Sequence, residues 1–217
     1  MGSLSLYGIA IDEVRDIFSA GAAEAAALRA IASERFPTRR AAAPGLLGRL
    51  GPLFRRPPDA PVVAPDTPVA EDCERLLTGR HTPPHRLAAS WRLLEAWLDA
   101  KAWGRYQATI AGRDVDALDF DLSRAGVPAE YSLRSLVARD PGIPLLPSPG
   151  LLAGYCRGAH AVAAGEAWQP ALGRLEPAHA TLLSPLLAWL ADLRQWTDAA
   201  AAGGGRPAPD LVGVWRT

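Results

Sequence analysis

The sequence has little cysteine and no long apolar run. Only two of its 217 residues are cysteines, Cys73 and Cys156, too few for a disulfide framework, which favours a reducing compartment. No segment reaches the roughly 18 apolar residues of a membrane-spanning helix, and residues 1–6 lack the basic start of a secretion signal. We therefore expect a cytoplasmic protein that makes no membrane contact.

The sequence also lacks an excess of either charge. Lysine and arginine together number 23, and aspartate and glutamate together number 23. This balance argues against a general nucleic-acid-binding surface, which needs clustered positive charge. Glycine-rich phosphate loops, G-x-S-x-G and H-E-x-x-H are absent as well. We therefore expect no cofactor, and a protein as the partner.

The composition and length predict one globular domain over residues 1–217. Hydrophobic residues make up 49% of the chain and charged residues 21%, which is enough apolar surface for a core. Residues 3–11 and 210–216 are rich in β-forming side chains, whereas most segments between them show helical periodicity. The prediction is an α+β fold, mainly helical, with a small sheet built from the two terminal strands and five to seven helices between them.

Two segments are predicted to be connectors. Residues 37–65 are rich in proline, glycine and arginine, and residues 199–209 (AAAAGGGRPAP) have the composition of a flexible linker before the last strand. The first connector and its start carry several arginines, which are Arg35, Arg39, Arg40, Arg49, Arg55 and Arg56. They could also contact an anion or a nucleic acid, and the solvated connector is the favoured interpretation.

The helix predicted from residue 82 to about residue 103 carries Trp91, Trp97 and Trp103 at intervals of six. At about 100° per residue these side chains point in three directions, so one apolar face cannot bury all of them. Polar positions in the same helix argue against complete enclosure; they are Arg92, Glu95, Asp99 and Lys101. We expect Trp97 or Trp103 to be partly exposed and to form a binding site with Arg105 and Tyr106.

Residues 114–122 (DVDALDFDL) concentrate acidic side chains. Apolar and acidic residues alternate around Phe120, which favours an extended strand, although Val115, Leu118 and Leu122 also fit a helix. The segment lacks the glycine and the final glutamate of a calcium loop. Its functional interpretation is a docking edge for a basic protein partner, with Asp119 and Asp121 as contact residues.

Two sets of residues could carry chemistry. Cys156 and His160 are four positions apart in a helix predicted over residues 150–164, so they would share one face. Cys73, His81 and His85 include ligand-capable types, but a structural zinc site needs a fourth ligand, and we expect no metal. His81 and His85 stay as alternative acid–base candidates.

Three segments carry a resemblance to other proteins: SLSLYGIAIDEVRDIF at the start, PPHRLAASWRLLEAWLDAKAWGRY in the middle and PDLVGVWRT at the end. The chain resembles small uncharacterised proteins of high-GC actinobacteria. Its plan, a strand at each end around helices, is also similar to the YfbM-like family. The resemblance implies a similar plan and transfers no site residue, and the arginine-rich connector departs from it.

These observations favour a cytoplasmic protein-interaction module, of the regulatory or the inhibitor and immunity type, that acts through surface shape and charge. The alternative is a small enzyme whose site assembles in three dimensions around Cys156 and His160, or around His81 and His85. A weaker alternative is an anion or nucleic-acid binder that uses the arginines between residues 35 and 56.

Overall fold

The computed structural model describes residues 2–37, 64, 66–203 and 205–217. Within these residues the chain forms one four-stranded antiparallel sheet and seven α-helices. The predicted class, α+β and mainly helical with the terminal strands in a small sheet, is confirmed. The predicted connector over residues 37–65 lies almost entirely outside the described residues.

The four strands are spread along the chain, with helices between them. The strands are β1 (Ser3–Ile9), β2 (Arg105–Thr109), β3 (Leu151–Cys156) and β4 (Asp210–Arg216). The helices are α1 (Ile11–Asp16), α2 (Ala22–Arg35), α3 (Ala70–Leu77), α4 (Leu87–Lys101), α5 (Gly112–Arg124), α6 (Gly158–Trp168) and α7 (Pro177–Gly203).

The strand order is β2-β1-β4-β3. The first and last strands are therefore the two inner ones, and they pair from Ser3 opposite Arg216 to Ile9 opposite Asp210. A short strand gains stability only from neighbours on both edges and from cover on its faces. The order gives β1 and β4 a hydrogen-bonded neighbour on each edge.

Helices cover the sheet on both faces. Leu4 and Leu6 of β1 point into a core formed with α5, α6 and α7, whereas Tyr7 and Ile9 point into a second core formed with α1 to α4. Successive side chains of a strand face opposite sides. The apolar residues on both parities of β1 therefore reflect a strand that is buried on both faces.

Two segments differ from their predicted structure. Residues 114–122 lie within helix α5 and do not form a strand, because Val115, Leu118 and Leu122 are buried on one helical face. Phe120, the apolar centre of the alternating pattern, is 66% exposed. The helix predicted over residues 150–164 is instead strand β3 followed by α6, with the break at Arg157.

The predicted linker over residues 199–209 is corrected only in its first part, residues 199–203, which are helical, whereas residues 205–209 form no helix or strand. Helix α7 continues through these alanines to Gly203, and it passes Pro185 without ending. Alanine has the highest helix propensity, so the alanine-rich stretch extends the helix and does not break it.

Helix α4 ends at Lys101, two residues before the predicted end at Trp103. In the part of the chain described here, no helix has the length and apolar character needed to cross a membrane.

Candidate functional site

A polar cleft lies between α4 and the sheet face formed by β1, β2 and β4. We call it the α4 cleft; its volume is about 280 Å³. Its walls combine the apolar side chains of Phe36 and Ala96 with charged, hydroxyl and amide groups. The polar lining residues are Ser3, Ser5, Tyr7, Arg35, Arg92, Glu95, Asp99, Arg105, Gln107 and Arg216. Such a concentration of polar groups beside a hydrophobic core needs partners within the cleft itself.

The spacing of the sequence explains why these side chains meet. On α4, Arg92, Glu95 and Asp99 are three and four positions apart, which puts them on one helical face. On the sheet, the register places Arg105 beside Tyr7 and Gln107 beside Ser5. Side chains of residues paired across antiparallel strands share a face. One helical stripe and one row of sheet positions therefore face each other.

Glu95 is the most buried carboxylate of the α4 cleft. Its side chain is 16% exposed, and its Oε1 lies 2.7 Å from Nη1 of Arg216. Burial raises the pKa of Glu95, and the ion pair with Arg216 opposes this rise without cancelling it. The ion pair also joins α4 to the end of β4.

Asp99 holds a second arginine. Nη1 of Arg105 lies 2.7 Å from both carboxylate oxygens of Asp99, and Nη2 of Arg105 donates to the side chain of Gln107. Arg35, at the end of α2, lies 3.9 Å from the same carboxylate. These contacts fix the orientation of the Arg105 guanidinium before any ligand arrives.

Tyr7 closes the floor of the cleft. Its ring is buried at 2% exposure in the core beneath α4. Burial raises the pKa of Tyr7 well above its usual value, and the negative charges of Glu95 and Asp99 raise it further. The hydroxyl therefore stays protonated at neutral pH and acts as a neutral hydrogen-bonding group, not as a base.

The charges of the α4 cleft are unevenly distributed. The two carboxylates are no more than 18% exposed, whereas Arg105 and Arg216 are each 38% exposed, and Arg35 and Arg92 more so. Four arginines thus line the cleft against two acids. The inner side is acidic and neutralised, while the side that faces solvent is basic. This arrangement can bind an anion.

The two tryptophans of the predicted binding site differ in their exposure to solvent. Trp97 is fully buried, and its Nε1–H donates to the carbonyl oxygen of Leu28 at 2.9 Å. Of the two tryptophans expected to be partly exposed, Trp97 is not, because α4 lies between α2, α3 and the sheet and is enclosed on several sides. Trp103 is partly exposed, and the guanidinium of Arg206 lies 4.7 Å from its ring centre.

Arg105 and Tyr106, predicted to act together, point to opposite faces of the sheet. Arg105 lines the α4 cleft. Tyr106 packs against the other core, with its ring 6.3 Å from that of Trp189. Alternation along β2 separates the two side chains, so only Arg105 belongs to the candidate site.

The predicted acidic docking edge is not an edge. Asp121 is buried on α5, where it accepts the backbone N–H of Glu176 at 2.8 Å and Nδ1–H of His179 at 2.9 Å. Asp119 is half-buried and accepts the backbone N–H of Leu133 at 2.6 Å. Both carboxylates thus bond within the protein, because the segment is helical and turns these residues toward neighbouring loops. The exposed docking role predicted for them is corrected.

Cys156 and His160 do not form a nucleophile–base pair. Cys156 ends β3 in the core, where burial raises the pKa of its thiol to about 12. His160 lies in α6, and its Nε2–H donates to the carbonyl oxygen of Glu130 at 3.0 Å. The ring of His160 packs against that of Tyr131 in a tilted arrangement, with the ring centroids 5.2 Å apart. The two residues belong to different elements, so the shared helical face that the pairing requires does not exist.

His81 and His85 are both exposed; His81 precedes the short 3₁₀ turn Pro84–Arg86 before α4, and His85 lies within it. Cys73, by contrast, is buried on α3 in the core. No group of three or more His, Cys, Asp or Glu side chains in the described ranges is placed to hold a metal ion. The three residues thus have different environments.

Sequence reasoning missed Tyr7, Glu95 and Arg216 as members of one site. The signal on α4 was present: Arg92, Glu95 and Asp99 repeat at helical spacing beside buried tryptophans. Read as a stripe, they predict a polar face turned toward a partner element. The partner itself comes from the two ends of the chain, which only the sheet pairing brings together.

Neither the curated proteins nor the solved structures give a match. The resemblance to the YfbM-like family stays a prediction. One family model, described as a domain of unknown function (DUF7691), matches residues 1–216. Because this match covers nearly the whole chain, the chain belongs to the DUF7691 family.

Proposed function

We propose that the protein is a cytoplasmic binding module without chemistry of its own, and that it recognises acidic groups of another protein at the α4 cleft. The cytoplasmic part of the proposal is supported by Cys73 and Cys156, which are both free thiols in a chain with no other cysteine. The binding part is supported by the charges of the cleft.

One observation carries the proposal: the carboxylates of the α4 cleft lie inside and its arginines lie outside. Asp99 and Glu95 orient Arg105 and Arg216 through contacts of 2.7 Å, while both guanidiniums keep part of their surface open to solvent. A guanidinium that is already held in place loses less side-chain entropy when it binds a carboxylate. The cleft is therefore organised for anions before a ligand binds.

The neutral groups of the cleft extend the recognition. Ser3, Ser5 and Gln107 supply hydroxyl and amide groups next to the arginines. Carboxylates accept several hydrogen bonds at once, and those donated by charged groups are the strongest. A ligand that combines carboxylates with other polar groups suits this lining better than an apolar ligand.

The catalytic alternative draws no support from the described geometry. The thiol of Cys156 is buried and its pKa is raised, whereas a nucleophilic cysteine has a lowered pKa and an adjacent base. His160 bonds to a backbone carbonyl instead. The exposed His81 and His85 lie outside the α4 cleft.

The test is calorimetric titration of the full chain with a ten-residue glutamate peptide at low salt. We expect binding that weakens as salt is added, because exposed charges are screened. Arg92→Gln should weaken it about tenfold, since a charge-assisted hydrogen bond contributes about 1.5–3 kcal/mol. Arg92 pairs only with the exposed Asp66 among the described carboxylates, so its loss strands no buried charge.

The matched control is Arg194→Gln. Arg194 lies on α7, is 63% exposed and pairs with the exposed Glu166, outside the α4 cleft. This variant should bind the glutamate peptide as the unmodified protein does. Equal weakening by both substitutions, or no binding by the unmodified protein, would overturn the proposal.

A further inference from the structure

We propose that the acidic partner docks as an extended antiparallel strand on the outer edge of β2, with alternate carboxylates in the α4 cleft. This inference rests on the proposed function and adds the form of the partner. It is carried by three features: an open sheet edge, the direction of its backbone groups, and the side chains that stand beside it.

The two edges of the sheet differ in how far their backbone groups are already paired. The outer edge of β3 is covered, because the N–H of Tyr155 donates to the carbonyl oxygen of Arg139 at 3.0 Å in an antiparallel bridge. β2 is the other edge strand. Within the described ranges no strand pairs with its outer side. An exposed edge of this kind is a template for one more strand.

Alternate residues of β2 direct their backbone N–H and carbonyl groups away from β1, where an added strand could pair with them. The N–H of Ile110 donates to the carbonyl oxygen of Gly2, and the N–H of Gly8 donates to that of Gly104, both at 3.0 Å. Antiparallel ladders alternate, so these bonds assign the even-numbered residues of this stretch to the β1 side. The N–H and carbonyl groups of Arg105, Gln107 and Thr109 therefore point away from β1.

The same residues turn their side chains into the site. Arg105 and Gln107 line the α4 cleft. A residue that forms a hydrogen-bonded antiparallel pair with either of them would place its own side chain on the same face, about 4.5–5.5 Å away between Cβ atoms. A carboxylate there reaches the basic side of the cleft. Backbone pairing and charge recognition thus require the same register.

Charge complementarity selects an acidic segment over a second copy of this chain. A second β2 would bring its own Arg105 toward the arginines of the cleft, and facing like charges destabilise strand pairing. The charge of Arg105 thus disfavours pairing of β2 with the β2 strand of a second copy. β2 has five residues, so the segment needs about five residues in extended form with carboxylates at alternate positions.

The experiment uses a ten-residue peptide of alternating glutamate and threonine and two N-methylated forms of it. In the proposed pairing the glutamate N–H groups face β2, whereas the threonine N–H groups face solvent. We expect the peptide methylated on its glutamate nitrogens to bind at least about tenfold more weakly, because several backbone bonds are lost. The form methylated on its threonine nitrogens should bind like the parent.

Amide exchange measured by NMR gives an independent readout. The parent peptide should slow exchange at Gln107 and Thr109, while the already bonded amide of Ile110 should change little. Equal affinities for the three peptides, or stronger weakening by threonine methylation, would overturn strand addition.

The outcomes separate this inference from the proposed function. If the glutamate peptide binds with dependence on Arg92 but methylation has no effect, the cleft binds anions and strand addition is wrong. If neither acidic peptide binds, both proposals fail. Dimers of the free protein in sedimentation, lost when Thr109→Pro removes an outward N–H, would assign the edge to a second copy and overturn the acidic segment.

Discussion

Asp210, the first residue of β4, accepts the backbone N–H of Ile11, the first residue of α1, at 3.1 Å and across 199 positions of the chain. The same carboxylate accepts the N–H of Gly158, the first residue of α6, at 3.1 Å and a bond from Arg157 at 3.0 Å. α1 and α6 lie on opposite faces of the sheet. One buried carboxylate thus joins both helical layers to an inner strand.

The first prediction concerns this carboxylate. Asp210→Asn should destabilise the protein by about 1–3 kcal/mol, because an amide offers one acceptor oxygen and turns an N–H group toward buried donors. Urea unfolding at neutral pH measures the change. Asp116→Asn, at a 63% exposed carboxylate that pairs with Arg134, should change stability by less than about 0.5 kcal/mol. Equal effects of the two substitutions would contradict the role given to Asp210.

The second prediction concerns pH. The bonds from His179 and from the N–H of Glu176 lower the pKa of Asp121 below its usual value of 3.8. Folding therefore favours the ionised carboxylate, and this stabilisation is present above about pH 4 and is lost as the pH falls through the folded pKa. The stability advantage over Asp121→Asn should therefore shrink as the pH falls below about 4.

Urea titrations across this range provide the measurement. His179→Ala should reproduce part of the Asp121→Asn effect, because it removes one of the two bonds that favour the ionised form. An advantage that persists unchanged down to about pH 2.5 would show that Asp121 does not titrate differently in the folded and unfolded states.

The third prediction concerns the covered face of β3. A Cβ atom at Gly154 of β3 would lie 1.9 Å from the backbone oxygen of Val137, so that the segment over β3 would have to move. Gly154→Ala should destabilise the protein by about 1–3 kcal/mol. At Gly173 a Cβ atom meets nothing within 4 Å. A thermal melt of Gly173→Ala should be nearly unchanged, and a comparable loss in both variants would contradict the close contact.

The fourth prediction concerns the thiols. Burial raises the pKa of Cys73 to about 11 and that of Cys156 to about 12, so both are protonated and shielded at neutral pH. A disulfide reagent should modify neither cysteine in the native protein within minutes and both after unfolding in urea. Rapid modification of Cys156 in the native state, measured by mass spectrometry, would restore it as a catalytic candidate.

The sequence contains enough information for the class of the fold and for its inner strands. β1 and β4 are short, rich in β-forming residues and apolar on both faces, a pattern that few other structures accommodate. The wrong predictions of secondary structure come from segments whose apolar residues fit both a strand and a helix periodicity. Residues 114–122 alternate like a strand, but the burial of Leu118 and Leu122 decides for a helix. Tertiary contacts, not local propensity, make that choice.

The candidate site was only partly accessible to sequence reasoning. Arg105 was predicted for a binding site, and it lines the α4 cleft. The polar stripe of Glu95 and Asp99 is visible along α4, but its meaning depends on Tyr7 and Arg216, which come from opposite ends of the chain. No local pattern states which distant residues a helical face will meet. The pairing of β1 with β4 supplies that information.

The inner position of β4 also sets the order in which the protein can be assembled. Ribosomes synthesise β4 after every helix and after both strands that it joins. Until then β1 and β3 each lack an inner neighbour, and an open strand edge is a site of aggregation. Contacts between residues so far apart also slow folding. The sheet can therefore close only after β4 has been synthesised, when β1 and β3 gain the inner neighbour that they share.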